Sequence, residues 1–349
     1  MKNMALLFVL ASVFSFNAHA TKARRASLLG AAHVVDSQSI FHYPSEVNLL
    51  GQYVTIEFGP TADGVTEPKA EGGLFRKADE ATWGLYLGHH DATQTGLRAL
   101  NTYQNQTNPI QLFYGKGNWG ATVGLSNTDK KTTKAKETTV YAGFGQSLDS
   151  LTWGANAQVI ASAEKLNGTD TDKYTGAPVI SAQMRTHGDV YYHGGINYGD
   201  VKHAPGAAGA AEVKVKDMNV ELGVVDRTLK TDDRDLYYGV SLVYTDRESG
   251  GKHLKTQSLP VSIGFEQTLN SWATARASLQ QNFLLGSVKD ETKAAPLDEA
   301  DSIANNTTVS AGLGFKYGAL TVDGVLSAAT TGDMNGNAIL AKTGLVYSF

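Results

Sequence analysis

The chain has 349 residues and carries 30 Lys and Arg against 34 Asp and Glu, so its net charge at neutral pH is −4. It contains 37 glycines but no cysteine, which excludes a disulfide framework and a cysteine-linked lipid anchor, and argues against zinc or iron–sulfur sites. After residue 20 there is no apolar run of about 20 residues, the length that a membrane-spanning helix needs, so a helical membrane protein is excluded.

The first 20 residues have the pattern of an export signal. Lys2 is followed by an apolar run over residues 5–16, and Ala18-His19-Ala20 matches the small-x-small pattern of a cleavage site. The apolar run is too short to span a bilayer as a helix. We therefore expect residues 1–20 to be removed, so that the mature chain begins at Thr21.

Residues 21–48 form a separate lead-in, in which the small apolar stretch 26–35 predicts a short helix that ends near Asp36. Pro44 restricts Tyr43 to an extended conformation. The segment 28–44 faintly resembles the N-terminal region of hydrophobic-substrate channels of the long-chain fatty-acid transporter type. The residues that carry this resemblance are Leu28-Leu29-Gly30-Ala31, Asp36 and Ile40-Phe41-His42-Tyr43-Pro44. Those channels place Asn before the proline and Ala after it, where this chain has Tyr43 and Ser45. The resemblance implies a segment inside the lumen, and a periplasmic tether is the alternative.

From residue 49 onwards, apolar and polar residues alternate in segments that are joined by short turns and long polar loops in turn. Short turns are expected at residues 78–81, 115–117, 148–150, 187–188, 228–233, around 270 and around 318. Long loops are expected at residues 59–70, 90–108, 127–137, 163–177, 199–212, 247–256, 286–305 and 329–337. This layout is typical of outer-membrane barrels with short periplasmic turns and long extracellular loops. Residues 49–349 are therefore predicted to be all-β, a transmembrane antiparallel β-barrel of about 16 strands (range about 14–18).

The two faces of the predicted strands differ in polarity. In the segment 305–316, the residues Val309, Ala311, Leu313 and Phe315 alternate with Ser310, Gly312, Gly314 and Lys316. Lipid can cover such an apolar face. Five aromatic residues lie within a few positions of a short turn and are predicted to form a girdle at one membrane boundary: Trp119, Trp153, Tyr191, Trp272 and Tyr317.

Charged residues of both signs fall on the other face, and they are the candidates for lining the lumen: Arg76, Arg185, Glu221, Glu266, Arg276, Lys316, Asp323 and Lys342. Burying such charges without partners is very unfavourable, which suggests a wet lumen. A barrel of about 16 strands is wide enough for an aqueous channel. The alternative interpretation is that these charges pair with one another and help to plug the barrel.

Other motifs give weaker signals. His89-His90-Asp91 and His187-Gly188-Asp189 resemble acid–base pairs, but His187 is expected in a periplasmic turn and no acidic cluster or serine motif accompanies His89, so an enzyme is not expected. The oxygen-rich run 167–172 lacks the Gly and Glu of a calcium loop, which favours a surface loop. The basic run 130–136 favours contact with lipopolysaccharide phosphates or a position at the pore mouth over nucleic-acid binding. No cofactor or metal site is expected.

The C-terminal residues form an alternating strand that ends in an aromatic residue. Lys342, Gly344, Tyr347 and Phe349 give the pattern polar-x-Gly-x-x-aromatic-x-Phe, which resembles the C-terminal recognition strand of bacterial outer-membrane β-barrels. The resemblance implies that Gly344, Tyr347 and Phe349 form an assembly signal that the barrel-assembly machinery engages.

Together these patterns predict a porin-like channel in the bacterial outer membrane for passive diffusion of small hydrophilic solutes. Two alternatives stay open: a hydrophobic-compound channel of the fatty-acid transporter type with an N-terminal plug, and a structural or adhesive barrel without transport. The expected partners are outer-membrane lipid and lipopolysaccharide, the barrel-assembly machinery and small solutes, but no nucleic acid. Porins of this size resemble trimers, so a homotrimer is one open oligomeric state.

Overall fold

The computed structural model describes residues 21–59, 69–90, 106, 109–132, 134–207, 210–285, 289–291, 307–329 and 342–349. The predicted export signal, residues 1–20, lies outside this part of the chain. Four short helical segments come first: helix α1 (Lys22–Ser27), two 3-10 turns (Ser39–Phe41 and Pro44–Glu46) and helix α2 (Val47–Leu50). Among the described residues, no helix is long and apolar enough to cross a membrane.

Helix α1 begins and ends earlier than the apolar stretch 26–35 predicts. The Thr21 hydroxyl accepts a hydrogen bond from the Arg24 amide at 3.2 Å and so caps the first turn. Leu29 and Gly30 have φ angles of 50° and 71°, in the left-handed region that ends a helix. The apolar residues that follow therefore form turns instead of a longer helix.

The rest of the described chain is built of strands and their connections. The strands are β1 (Tyr53–Gly59), β2 (Lys69–Ala78), β3 (Ala81–Leu87), β4 (Ile110–Lys116), β5 (Trp119–Lys130), β6 (Ala135–Ser147), β7 (Leu151–Asn167), β8 (Asp170–Thr175), β9 (Val179–Thr186), β10 (Val190–Ala204), β11 (Val213–Asp226), β12 (Arg234–Ser249), β13 (Lys252–Asn270), β14 (Ala273–Leu284), β15 (Lys289–Asp290), β16 (Thr307–Tyr317), β17 (Leu320–Ala329) and β18 (Lys342–Ser348).

These segments form one closed antiparallel barrel. Strands β8 and β9 both pair with β7 and β10, so they are the two halves of one wall strand. Strand β15 likewise continues β14 along β13. The 18 segments therefore make 16 wall strands, and the pairing of β1 with β18 closes the ring. The predicted fold class and the predicted even strand number are confirmed.

The outer face of the wall is apolar and the inner face is covered from within. In β16, Val309, Leu313 and Phe315 are between 44% and 48% exposed, whereas Ser310, one position along, is 1% exposed. The same alternation holds on β3, where Trp83, Leu85 and Leu87 point outward. An apolar belt of this kind is stable only against lipid, because in water it would be an extensive hydrophobic surface.

An arc of aromatic rings marks one boundary of the apolar belt. The rings touch in succession across five strands at centroid distances of 4.5 to 6.1 Å, in the order Trp83, Tyr114, Trp119, Phe144 and Trp153. All five lie close to short turns, as an interfacial girdle requires. Tyr191 was predicted to belong to this girdle, and that prediction is wrong. Its side chain is 2% exposed and points into the lumen.

The turns at the girdle end agree with the prediction, but three of the predicted long loops are wrong. Residues 127–137, 163–177 and 247–256 are mostly strand, and their hairpins close through short turns. Gly250 and Gly251 both have positive φ angles, 58° and 77°, which suits a two-residue hairpin turn. Polar residues here mark strands that extend beyond the apolar belt. Most of the loops predicted at 59–70, 90–108, 286–305 and 329–337 lies outside the described residues.

The face assignment can be tested on strand β11. Leu222 is 61% exposed on the outer face, whereas Asn219 faces the lumen. Replacing Leu222 by Arg is expected to destabilise the inserted barrel by about 2–4 kcal/mol, because the charge then faces lipid. The matched change Asn219→Arg should have a much smaller effect. Urea titration of folding in vesicles measures both, and equal losses would show that the faces are misassigned.

Candidate functional site

Residues 21–50, which we call the plug, lie inside the barrel against its inner face. Inward glycines of the wall make room for the plug backbone. A methyl group added to Gly120 would overlap the Pro44 carbonyl, and one added to Gly154 would overlap the His42 carbonyl. Since these glycines lie near the short turns, the plug occupies the periplasmic half of the lumen.

One end of the plug is held by a network of charges on β13, β14 and β17. Arg24 forms a two-pronged ion pair with Glu266, at 2.6 and 2.8 Å. Arg276 lies 2.5 Å from the same carboxylate and 2.7 Å from Asp323. The Thr21 hydroxyl donates a hydrogen bond to Asp323 at 3.0 Å. Plug and wall charges therefore neutralise one another in a shared, largely buried network.

The opposite side of the lumen holds a second anchor. The guanidinium of Arg185 forms an ion pair with Glu46, and its side chain is only 5% exposed. Arg185 also donates to the carbonyl oxygen of Ala32 at 2.6 Å and lies over the ring of Tyr43, 4.8 Å from its centroid. The Ser39 hydroxyl donates to the second oxygen of Glu46. Both terminal nitrogens of Arg185 and both carboxylate oxygens of Glu46 thus have partners, as a buried ion pair requires.

Between the anchors the plug packs through apolar and aromatic side chains. Phe41 meets Tyr86 and Phe113 edge-on, with centroids 4.9 and 5.6 Å apart, and stacks on His89. The buried cluster that joins plug and wall consists of Ile40, Phe41, Val47, Leu50, Tyr53, Phe75, Tyr86, Phe113 and Val346. Each aromatic pair adds about 0.5–1.5 kcal/mol beyond the burial of its area. At this level the inner wall is therefore apolar, in contrast to a water-filled channel.

His33 connects the plug to a third part of the wall. Its Nδ1 lies 2.8 Å from the hydroxyl of Tyr191, and its Nε2 lies 3.5 Å from Asp235. The Tyr237 hydroxyl donates to the carbonyl oxygen of Leu28 at 2.8 Å. These contacts explain why Tyr191 points inward instead of joining the girdle.

Burial changes the protonation of the plug's titratable groups. It lowers the pKa of His42 to about 3 and also lowers the pKa of His33, against the pull of Asp235. Both imidazoles are therefore neutral at physiological pH. Burial raises the pKa of Asp36 and that of Glu46, while the nearby arginines oppose the shift. The arginines therefore favour the ionised form of both carboxyl groups.

A cavity of about 360 Å³ lies between the plug and the middle of the wall. Its apolar side is formed by the plug residues Leu28, Leu29, Ala31, Ala32 and Val34. Its wall side is mainly polar, and the polar residues there are Gln183, His193, Asn197, Asn219, Glu221, Ser241, Ser262 and Gln280. His193 Nδ1 lies 3.9 Å from Glu221. A smaller cavity of about 110 Å³ adjoins it around Phe41, Gln111, Tyr141 and Gln158. The larger space has the size and the mixed lining of a small-molecule site.

The chain matches no protein-family model and no curated protein. Among solved structures it is similar to a FadL homologue of Pseudomonas aeruginosa, with a TM-score of 0.46 and 9% identity over 94% of this chain and 98% of that one. It is also similar to the toluene transporter TbuX of Ralstonia pickettii (TM-score 0.43, 10% identity, 96% and 100% covered). A third is the outer membrane channel DcaP of Acinetobacter baumannii (TM-score 0.42, 12% identity, 85% and 96% covered).

The closed wall of 16 strands, its apolar outer face and its aromatic boundary determine the class of protein. The protein is an outer-membrane β-barrel. Within this barrel, five of the predicted lumen-lining charges are half-buried or buried on the inner face: Arg185, Glu221, Glu266, Arg276 and Asp323. Lys316 also occupies an inward position, near the girdle end of β16. The side chain of Lys342 lies outside the described part of the chain.

The predicted lumen-lining position of Arg76 is wrong, because the barrel places this side chain on the outer face. It pairs across strands with Trp83, and its neighbour Phe75 is the residue that points inward, with 0% exposure. Phe75 stacks on Tyr53 at 4.6 Å within the apolar cluster beneath the plug. Aromatic packing therefore sets the face of β2, and Arg76 lies near the membrane boundary, where its long side chain can reach water.

The three residues of the predicted assembly signal lie on both faces of β18. Tyr347 and Phe349 are 52% and 55% exposed, and their rings stack 6.4 Å apart on the outer face. Gly344 faces inward, where a side chain would overlap Thr21 and Glu57. Recognition of this strand by the assembly machinery stays a prediction. The glycine has a second role, because it admits the first residue of the plug.

The remaining motifs are not brought together into a reactive site. His187 lies in a short turn, with its Nε2 2.8 Å from the Thr152 hydroxyl and its Nδ1 2.9 Å from the Asp149 carbonyl. In the part of the chain that the structure describes, no group of three or more His, Asp or Glu side chains is placed to hold a metal. Asp172, from the oxygen-rich run, instead accepts a hydrogen bond from the Gly206 amide at 2.8 Å. Asp91 lies outside the described residues.

Proposed function

We propose that the protein is an outer-membrane channel that is closed at rest by its plug and that carries a small amphipathic molecule past it. The observation that supports this most strongly is the plug itself, which fills the periplasmic half of the lumen and is joined to the wall by buried ion pairs. Passage through the barrel then requires the plug to shift. Of the expectations drawn from the sequence, this favours the plugged channel over the open porin.

The charges on the wall support the same choice. In an open porin the inner charges would face water and passing ions. Here Arg185 is bound to Glu46, while Arg276 is held by Glu266 and Asp323. These side chains therefore serve to seat the plug and are not free to select ions by charge.

The lining of the larger cavity supports an amphipathic solute. The plug contributes mainly Leu, Ala and Val side chains, beside Arg25, Ser39 and Tyr43. The wall contributes amides, hydroxyls and the His193–Glu221 pair, beside a few valines. A purely hydrophilic solute would leave the apolar side unfavourably hydrated, and a pure hydrocarbon would leave the amides without partners. A molecule with an apolar part and a hydrogen-bonding group satisfies both sides. We propose no chemical reaction at this site. The Ser241 hydroxyl lies 3.5 Å from His193 Nε2, and Glu221 lies 3.9 Å from His193 Nδ1, and both distances are longer than the hydrogen bonds that activate a serine nucleophile.

Tethering the plug tests this proposal, because the chain has no native cysteine. The hydroxyl oxygens of Ser45 in the plug and Ser147 in β6 lie 2.8 Å apart. With both replaced by Cys, oxidation is expected to abolish uptake of a labelled fatty acid into proteoliposomes, and reduction should restore it. A small sugar is assayed in parallel.

The matched control replaces Ser147 and Thr152 by Cys, because these residues are cross-strand partners and a bridge between them joins two wall strands without tethering the plug. Oxidation of that pair should leave uptake unchanged. Full uptake through the tethered barrel would contradict the proposed gate. Rapid sugar uptake by the untethered wild type would restore the open-porin interpretation, and a lack of any transport would favour a structural barrel.

A further inference from the structure

A row of carboxylates crosses the inner face where the barrel closes. Asp323 is opposite Gly344, Gly344 is opposite Glu57, and Glu57 is opposite Glu71. The three carboxylate residues are 0%, 1% and 7% exposed. Like charges that face one another directly destabilise a sheet, and buried charges require partners. The row therefore needs cations from elsewhere for all three carboxylates to stay ionised.

Three cationic side chains contact this row or the neighbouring carboxylate of Glu266. Lys22 lies 2.5 Å from Glu71, Arg276 lies 2.7 Å from Asp323, and Arg24 is paired with Glu266. Four carboxylates against three cations leave one negative charge, and His89, with its Nδ1 3.6 Å from Glu71, adds a positive charge only if protonated. Among these contacts, the carboxylates therefore outnumber the cations by one.

Glu57 is the carboxylate without a cationic contact among the described residues. Its oxygens accept hydrogen bonds from the Lys22 amide at 3.1 Å, the Thr55 hydroxyl at 3.3 Å and the Ser37 hydroxyl at 3.4 Å. All three donors are neutral. An ionised carboxylate buried with neutral donors alone is less stable than one with a cation beside it.

The chain itself brings the missing group to this place. Thr21 is fully buried in the gap above Gly344, and its hydroxyl is bound to Asp323. The next backbone nitrogen along the chain, that of Lys22, is the one bound to Glu57. The nitrogen of Thr21 is the preceding backbone nitrogen, between a side chain bound to Asp323 and an amide bound to Glu57.

We propose that removal of the leader turns this nitrogen into the missing cation. Hydrolysis of the Ala20–Thr21 bond consumes one water, leaves a carboxylate on the released leader and leaves an amino group on Thr21, which takes up a proton near neutral pH. The new ammonium forms an ion pair with Glu57 and completes the charge balance of the row. The plug is thus bound more stably in the processed protein, so export processing and closure of the lumen are coupled.

The direction in which the substitution Glu57→Gln changes thermal stability tests this pairing without any transport assay. Mass spectrometry first establishes whether the mature chain begins at Thr21. In that chain, Glu57→Gln is expected to lower the temperature at which half of the protein loses its heat-modifiable gel mobility, because the buried ammonium loses its partner. In a refolded chain with three extra residues before Thr21, the same change should raise it, because it removes an uncompensated carboxylate.

Labelling provides a second measurement if a variant fails to fold. In the folded wild-type barrel, the Thr21 amino group should resist a reagent selective for N-terminal amines, and it should react after denaturation. A mature chain that begins elsewhere, a Glu57→Gln effect of the same sign in both chains, or equal labelling of folded and unfolded protein would each overturn the proposal.

Discussion

Replacing Glu46 by Gln is expected to unseat the plug, because the buried guanidinium of Arg185 loses its counter-charge. Removing one partner of a buried ion pair typically destabilises a protein by about 3–5 kcal/mol, which exceeds the gain from any single hydrogen bond at the site. The substitution keeps the size of the side chain, so the effect is electrostatic. In planar bilayers the variant should show frequent current steps that the wild type lacks.

The same substitution at Glu248 is the control. Glu248 pairs with Lys216 at 3.2 Å on the outer surface of the extended strands, where both side chains are substantially exposed. Exposed pairs of this kind contribute about 0–1 kcal/mol, so Glu248→Gln should resemble the wild type. If Glu46→Gln also gave wild-type currents and stability, the Arg185 anchor would not hold the plug.

Replacing Gly120 by Val is expected to give a folded barrel with an open lumen. A side chain at Gly120 would overlap the backbone of Pro44 and Ser45, which can move only if this part of the plug leaves the wall. The wall itself should tolerate the change, since Val favours strands. We therefore expect a stable, high conductance in planar bilayers, together with normal heat-modifiable mobility.

Gly324 in β17 is the matched control, since a Cβ atom added there has no heavy atom of another segment within 4 Å. Gly324→Val should leave the lumen closed. A closed lumen in the Gly120 variant would mean that the plug seats without the contact at Pro44. Failure of that variant to fold, with Gly324→Val folding normally, would mean that the plug is needed for the wall itself.

Most of the wall could be predicted because its signal is local. Residues two apart share a face, so the alternation in β16 and β18 predicts their lipid-facing side chains from sequence neighbours alone. The positions of the short turns follow from the same pattern. The same alternation of inward and outward residues also predicts that Arg185, Glu266, Arg276 and Asp323 lie on the inner face. At Arg76 the predicted face is wrong, because packing of Phe75 beneath the plug sets the face of β2.

The sequence by itself therefore determined a barrel of about 16 strands, its two faces and its C-terminal strand, since each depends on spacing along the chain. Only the tertiary structure decided whether the lumen is open. The plug is held by Arg185 and Glu46, 139 positions apart, and by Thr21 and Asp323, 302 positions apart. No local sequence pattern predicts such pairs, because they form only when the closed barrel surrounds the N-terminal residues of the same chain.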